Sequence, residues 1–184
     1  MKTLRALLVC IPLGLTAGHA HAQEFPASAG VETMKNMFYI GGGSSRHDGA
    51  FENDDTPYSI GFMRQAENSK AVFGLDIGRE GTMIDSTWGR DDALVQATSF
   101  NLLLGGNVYN SGKLRSDAAV LIGARESFVD CPDSNLGYKC YADREPETEY
   151  KGNFGAVLTV SYDRVALGVR ATGESTQLLA GFRF

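Results

Sequence analysis

TQLLAGFRF, residues 176–184, alternates with period two. Phe184, Phe182, Ala180, Leu178 and Thr176 fall on one face, and Arg183, Gly181, Leu179 and Gln177 on the other. A strand points successive side chains to opposite sides, so one side of this segment is apolar and aromatic and the other small and polar. A strand with that outer face needs an apolar environment to cover it, and a bilayer supplies one.

Working back from this strand, the same alternation recurs in runs of about ten residues, the pattern of membrane barrel strands. Phe154, Ala156, Leu158, Val160 and Tyr162 oppose Asn153, Gly155, Val157, Thr159 and Ser161. Val165, Leu167, Val169 and Ala171 oppose Arg164, Ala166, Gly168, Arg170 and Thr172. Phe100, Leu102, Leu104, Gly106 and Val108 oppose Asn101, Leu103, Gly105, Asn107 and Tyr109, which places Tyr109 on the inner face. Three further runs behave alike: Tyr58–Gln65, Ala71–Gly78 and Leu114–Arg125. A first strand from Met37 to Ser45 is blurred by Gly41–Gly43. With the terminal strand this makes eight.

The connections alternate in length. Tight turns are expected at Glu67–Lys70, Asn110–Lys113 and Asp163-Arg164, and long loops at Arg46–Thr56, Gly81–Thr98 and Ser127–Lys151. The last connection on the loop side, Gly173–Ser175, is short. Short turns at one end and long loops at the other characterise outer-membrane barrels. No apolar run is long enough to span a membrane as a helix. Hydrocarbon provides no hydrogen-bond partners, so a closed sheet is the remaining way across. The expected fold is therefore all-β, an eight-stranded antiparallel up-and-down transmembrane β-barrel over residues 37–184.

Residues 1–22 read as a secretory signal. Lys2 and Arg5 are basic, Ala6–Leu15 is a short apolar core, and Ala20-His21-Ala22 places small residues at the cleavage positions. Residues 23–36 are read as a periplasmic lead-in without a fold of its own. The whole chain of 184 residues has net charge −5, and removing a signal with two bases and no acid leaves the mature chain more acidic. Export exposes Cys131 and Cys140 to an oxidising compartment, so a local disulfide is the natural reading. Too few other ligands lie nearby for zinc.

The expected inner face carries Asp76, Glu80, Arg115, Asp117, Arg125, Arg170 and Arg183, three acids and four bases. Such a set can pair into a buried network, in which an unpaired member would cost several kcal/mol. Eight strands leave room that side chains can fill, which argues against a diffusion pore. The rival is a soluble periplasmic carrier of the lipocalin kind, with the faces reversed. No Gly-x-Trp occurs near the first strand, and the single tryptophan, Trp88, falls in a loop.

Taken together, the signal, the eight strands, the loop asymmetry and the GFRF ending resemble the small outer-membrane barrels of the OmpA, OmpX/Ail and opacity-protein type. The resemblance covers about residues 37–184 and is one of pattern. It implies that Phe182 and Phe184 form the signal read by the barrel assembly machinery. It also implies a bacterial outer-membrane location among lipid and lipopolysaccharide. Functions in that group include adhesion, resistance to host defence and envelope integrity. The cysteine-closed loop is not a general feature of the group.

Candidates for chemistry are sparse. His47, beside Ser44, Ser45 and Asp48, is the only histidine after the signal, and it lacks the rigid setting and motif of a triad. A lipid A-modifying enzyme is the alternative that would use it. In the long loops acids outnumber Lys and Arg about three to one. Glu52–Asp55 and Glu145–Glu149 offer oxygen ligands for Ca²⁺ or Mg²⁺ but not the fixed spacing of a dedicated site. Tyr138 and Tyr141 flank Cys140 and suit contact with a host or surface partner. The expectation is a monomeric, non-enzymatic barrel with no catalytic residue, metal or cofactor. The acidity of the chain and the absence of a basic patch argue against nucleic acid as a partner.

Overall fold

The computed structural model describes residues 34–46, 55–84, 94–128 and 148–184. Among these the chain forms eight strands: β1 (Asn36–Ser45), β2 (Tyr58–Gln65), β3 (Ala71–Ile84), β4 (Leu94–Ser111), β5 (Leu114–Phe128), β6 (Thr148–Tyr162), β7 (Val165–Thr172) and β8 (Ser175–Arg183). Each pairs antiparallel with its neighbours in sequence, and β8 returns to β1 to close the barrel. No helix is long and apolar enough to cross a membrane among the described residues, which says nothing against crossing by strands.

Closure satisfies the edges. The β1–β8 ladder runs from Met37↔Arg183 to Ser45↔Ser175. Beyond it, Asn36 N–H donates to the Phe184 carbonyl at 3.0 Å and Phe184 N–H donates to that of Asn36 at 3.1 Å. The triple glycine that blurs the alternation of β1 does not interrupt it: Gly41, Gly42 and Gly43 pair in register with Leu179, Leu178 and Gln177.

The three turn-side connections, at 66–70, 112–113 and 163–164, are tight, and each contains one left-handed residue: Asn68, Gly112 and Asp163. Loop-side strands run further than alternation indicates. β3 continues to Ile84, β4 starts at Leu94, β5 reaches Phe128 and β6 starts at Thr148, so the ends of the expected loops Gly81–Thr98 and Ser127–Lys151 are ladder instead. Thr82, Gln96 and Thr98 interrupt the apolar residues there, so alternation does not mark these segments as strand.

Two bulges adjust the barrel. Between Asn107↔Asp117 and Tyr109↔Ser116, β4 has one residue more than β5. Val108 and Tyr109 therefore both face outward, which corrects the inner placement of Tyr109. A bulge frees backbone groups from the ladder. Here the Asn107 side-chain amide answers the carbonyls of Tyr109 at 3.1 Å and Ser116 at 3.0 Å. The second bulge lies between Arg79↔Thr98 and Thr82↔Gln96, where Glu80 and Gly81 together oppose Ala97. Gly81 has φ +72°, and a Cβ there would come 2.8 Å from a Glu174 carboxylate oxygen. Only glycine takes that position without strain.

The sidedness is inverted relative to a water-soluble protein. Phe73, Leu75 and Ile77 on β3, Phe100, Leu102 and Leu104 on β4, Phe154, Leu158 and Val160 on β6, and Leu178 and Phe182 on β8 are all exposed. Asp76, Glu80, Asp117 and Arg170 are at most 1% exposed. At a strand rise of about 3.3 Å and a tilt near 40°, the apolar band from Phe154 to Tyr162 is roughly 20 Å tall. This is the architecture of an eight-stranded transmembrane barrel.

Candidate functional site

The interior is built in three layers, two polar clusters separated by an apolar one. The apolar layer comprises Met37, Met63, Val72, Leu103, Ala119, Leu121, Val157, Ala166 and Leu179, with the ring of Tyr39. Its side chains fill the lumen and divide it.

On the loop side the cluster centres on Arg170 of β7. Its Nε and Nη2 donate to Asp76 Oδ1 at 3.1 and 2.9 Å, and its Nη1 and Nη2 donate to Glu80 at 2.8 Å each. Glu80 is saturated. Its Oε1 also accepts from Ser99 and Asn153, both at 3.0 Å, and its Oε2 from Thr172 at 2.7 Å and Ser175 at 2.6 Å. Asp76 accepts in addition from Asn101 Nδ2 and from the Tyr39 hydroxyl. Charge-assisted bonds of this kind are about twice as strong as neutral ones, and full satisfaction is what makes a buried polar network tolerable.

Tyr39 reaches Asp76 because β2 carries glycine between them. Tyr39 pairs with Gly61, and Gly61 with Asp76, on one rung of the sheet. A Cβ on Gly61 would fall 2.0 Å from the Tyr39 ring. The missing side chain is the slot through which the phenol crosses one strand to bond the next, at 2.8 Å.

Toward the turn side a second cluster centres on Asp117 of β5. Arg115 Nε lies 3.0 and 3.1 Å from its two oxygens and Arg115 Nη2 2.9 Å from Oδ1. Arg183 Nη2 also donates to Asp117, and its Nε to Ser161 Oγ at 2.7 Å. Asn107 Nδ2 completes the set, 2.9 Å from Asp117 Oδ1. The two clusters are opposite in composition: two carboxylates share one guanidinium on the loop side, and two guanidiniums share one carboxylate on the turn side. Asn101 and Asn107, one in each, stand about six residues apart on β4, roughly 20 Å along the strand. Unit charges about 15 Å apart offset each other by only ~1 kcal/mol at an effective dielectric near 20. Each cluster therefore carries its own imbalance.

Arg125, the remaining base of the seven, joins neither cluster. Its Nη2 lies 2.7 Å from Glu174 Oε1 near the loop-side mouth. Glu174 sits in the β7–β8 connection, where alternation gives no sign of facing inward, and it supplies the fourth acid to four bases. Alternation likewise gives Ser59 and Tyr39 no special mark; the Ser59 hydroxyl donates to Gln177 Oε1 at 2.7 Å. Arg164, on the inner face by parity, is exposed in the β6–β7 turn.

Phe182 and Phe184 are exposed on the turn-side exterior with ring centroids 5.6 Å apart. Phe38 and Phe62 extend the group, at 5.9 Å from Phe182 and 6.5 Å from Phe184. Tyr109 and Tyr162 are exposed at the same end, and Tyr58, Phe100 and Phe154 toward the other. Cys131, Cys140, His47, Trp88, Tyr138 and Tyr141 lie outside the described residues, as do most of the acidic loop positions. Among the described residues no cluster of His, Cys, Asp and Glu is arranged to hold a metal.

No family model matches the chain, and no curated protein does. Among solved structures, the backbone structure of the Yersinia pestis outer membrane protein Ail in a phospholipid bilayer nanodisc aligns with 82% of this chain and 99% of that one. The TM-score is 0.43 and the sequence identity 11%.

Proposed function

We propose that this chain is a monomeric, non-enzymatic barrel of a bacterial outer membrane, acting in envelope structure or surface interaction. It is exported by the signal at 1–22 and inserted by the barrel assembly machinery through Phe182 and Phe184. Its acidic loops, stapled by Cys131–Cys140, face outward among lipopolysaccharide headgroups or toward a host or surface partner.

The observation that carries this reading is the inverted sidedness. Large apolar side chains ring the outside, while paired ions lie buried inside. A soluble carrier needs the reverse. The buried arginines and the apolar layer that occupy the lumen among the described residues support a structural or contact role over transport.

The test is fractionation followed by electrophoresis with and without boiling. The protein is expected in the outer-membrane fraction, migrating differently when unboiled, because folded barrels resist detergent. Release as a soluble protein by osmotic shock would overturn the assignment. Two companion measurements address the finer points. Planar-bilayer recordings are expected to show no discrete conductance, and the lipid A profile is expected to be unchanged on deletion.

A further inference from the structure

We propose that the turn-side mouth of the barrel is a binding site for a small soluble oxyanion, phosphate or carboxylate, gripped between the guanidiniums of Arg115 and Arg183. A guanidinium offers five N–H donors in a fixed fork. Arg115 spends Nε and Nη2 on Asp117, and Arg183 spends Nε on Ser161 and Nη2 on Asp117. The Nη1 group of each meets no acceptor among the described residues. Two positive charges thus rest on one carboxylate in side chains only 7% and 4% exposed. Such an excess calls for a further negative group with two or more oxygens, the shape a guanidinium fork matches best.

The loop-side cluster shows by contrast why the site is at this end. There the carboxylates are in excess and Glu80 already accepts from every direction. On the turn side, Arg115 follows the 112–113 turn, Ser161 precedes the 163–164 turn, and Arg183 ends β8. The pair therefore lies one layer inside the mouth, close enough to the end for each arginine to keep a few per cent of its surface exposed. On the rim the exposed bases Lys70, Lys113 and Arg164 outnumber the exposed acids Glu67 and Asp163, a balance that favours approach of an anion. A lipid headgroup lies outside the wall, whereas this site is in the lumen, which selects a soluble anion. The inference depends on the barrel fold and not on which compartment the turns face.

The experiment uses the mature chain in nanodiscs of zwitterionic lipid, following the arginine Nε–Hε resonances by NMR during titration with inorganic phosphate, then acetate. Saturable shifts are expected at both Arg115 and Arg183. Arg183→Gln should weaken phosphate binding by about tenfold or more, and Arg115→Gln by a similar factor. Both variants leave Asp117 with one arginine, so folding should survive. Lys113→Gln, on the rim alone, should weaken it by less than about twofold. Shifts that do not saturate, or an equal loss in Lys113→Gln, would reduce the site to a diffuse rim potential and refute the proposal. So would the same shifts appearing without phosphate when phosphatidylglycerol is added to the disc, since the occupant would then be a headgroup.

Discussion

Replacing Arg170 with Leu removes the centre of the loop-side cluster. Asp76 would keep only Asn101 and Tyr39, and Glu80 would keep Ser99, Asn153, Thr172 and Ser175. Two carboxylates would then face each other in a fully buried site with no cation. Breaking a buried pair by deleting one partner costs about 3–5 kcal/mol, most of it the penalty of the charge left behind. Two stranded acids put this variant at the upper end. The same reasoning predicts rescue. Asp76→Asn with Glu80→Gln in the Arg170→Leu background removes the stranded charges and should recover more than half of the loss. Equilibrium urea unfolding in phospholipid vesicles, followed by circular dichroism, gives each stability and hence the coupling. A loss below about 1 kcal/mol in Arg170→Leu, or additive effects in the triple variant, would show that the ion cluster does not hold the barrel.

Leu158 stands midway along the apolar stretch of β6 and faces out, so Leu158→Arg should cost about 2–4 kcal/mol in vesicle-based unfolding; a negligible change would contradict the lipid-facing assignment. The Thr159 hydroxyl is buried with no partner, so Thr159→Val should stabilise by about 1 kcal/mol in the same assay. Gly61→Ala drives a methyl into the Tyr39 ring and should cost about 1–3 kcal/mol, with part of that returned by adding Tyr39→Ala. If the two substitutions proved additive, the glycine slot would be no slot.

Period-two alternation is enough to read the barrel and the strand count, because a strand with lipid on one side tolerates no error of parity. It failed where parity itself changes. Tyr109 was misplaced because a bulge, which has no composition of its own, shifts the count by one. The strand segments past Gly81 and Ser127 read as loops because a bulge at Glu80 and Gly81 shifts the count and Thr82, Gln96, Glu149 and Lys151 interrupt the apolar residues. Pairing was less legible still. Nothing in the order of residues says that Arg170 takes two acids while Asp117 takes two arginines. Nor does it say that Glu174, in a two-residue connection, answers Arg125. The role of Tyr39 is invisible in sequence because it depends on a glycine in the next strand, a relation that only the register exposes.

The seam between β1 and β8 joins partners about 140 positions apart, the most distant of the ladders in the barrel. Every other ladder can zip from a neighbouring turn, but this one must wait until both ends are present. An unsealed sheet would have two naked rims in hydrocarbon, so partial assembly has no resting place in the bilayer. Insertion and sealing therefore have to happen together. The first and last strands are also where a foreign strand, offered at the right moment, would find the barrel open.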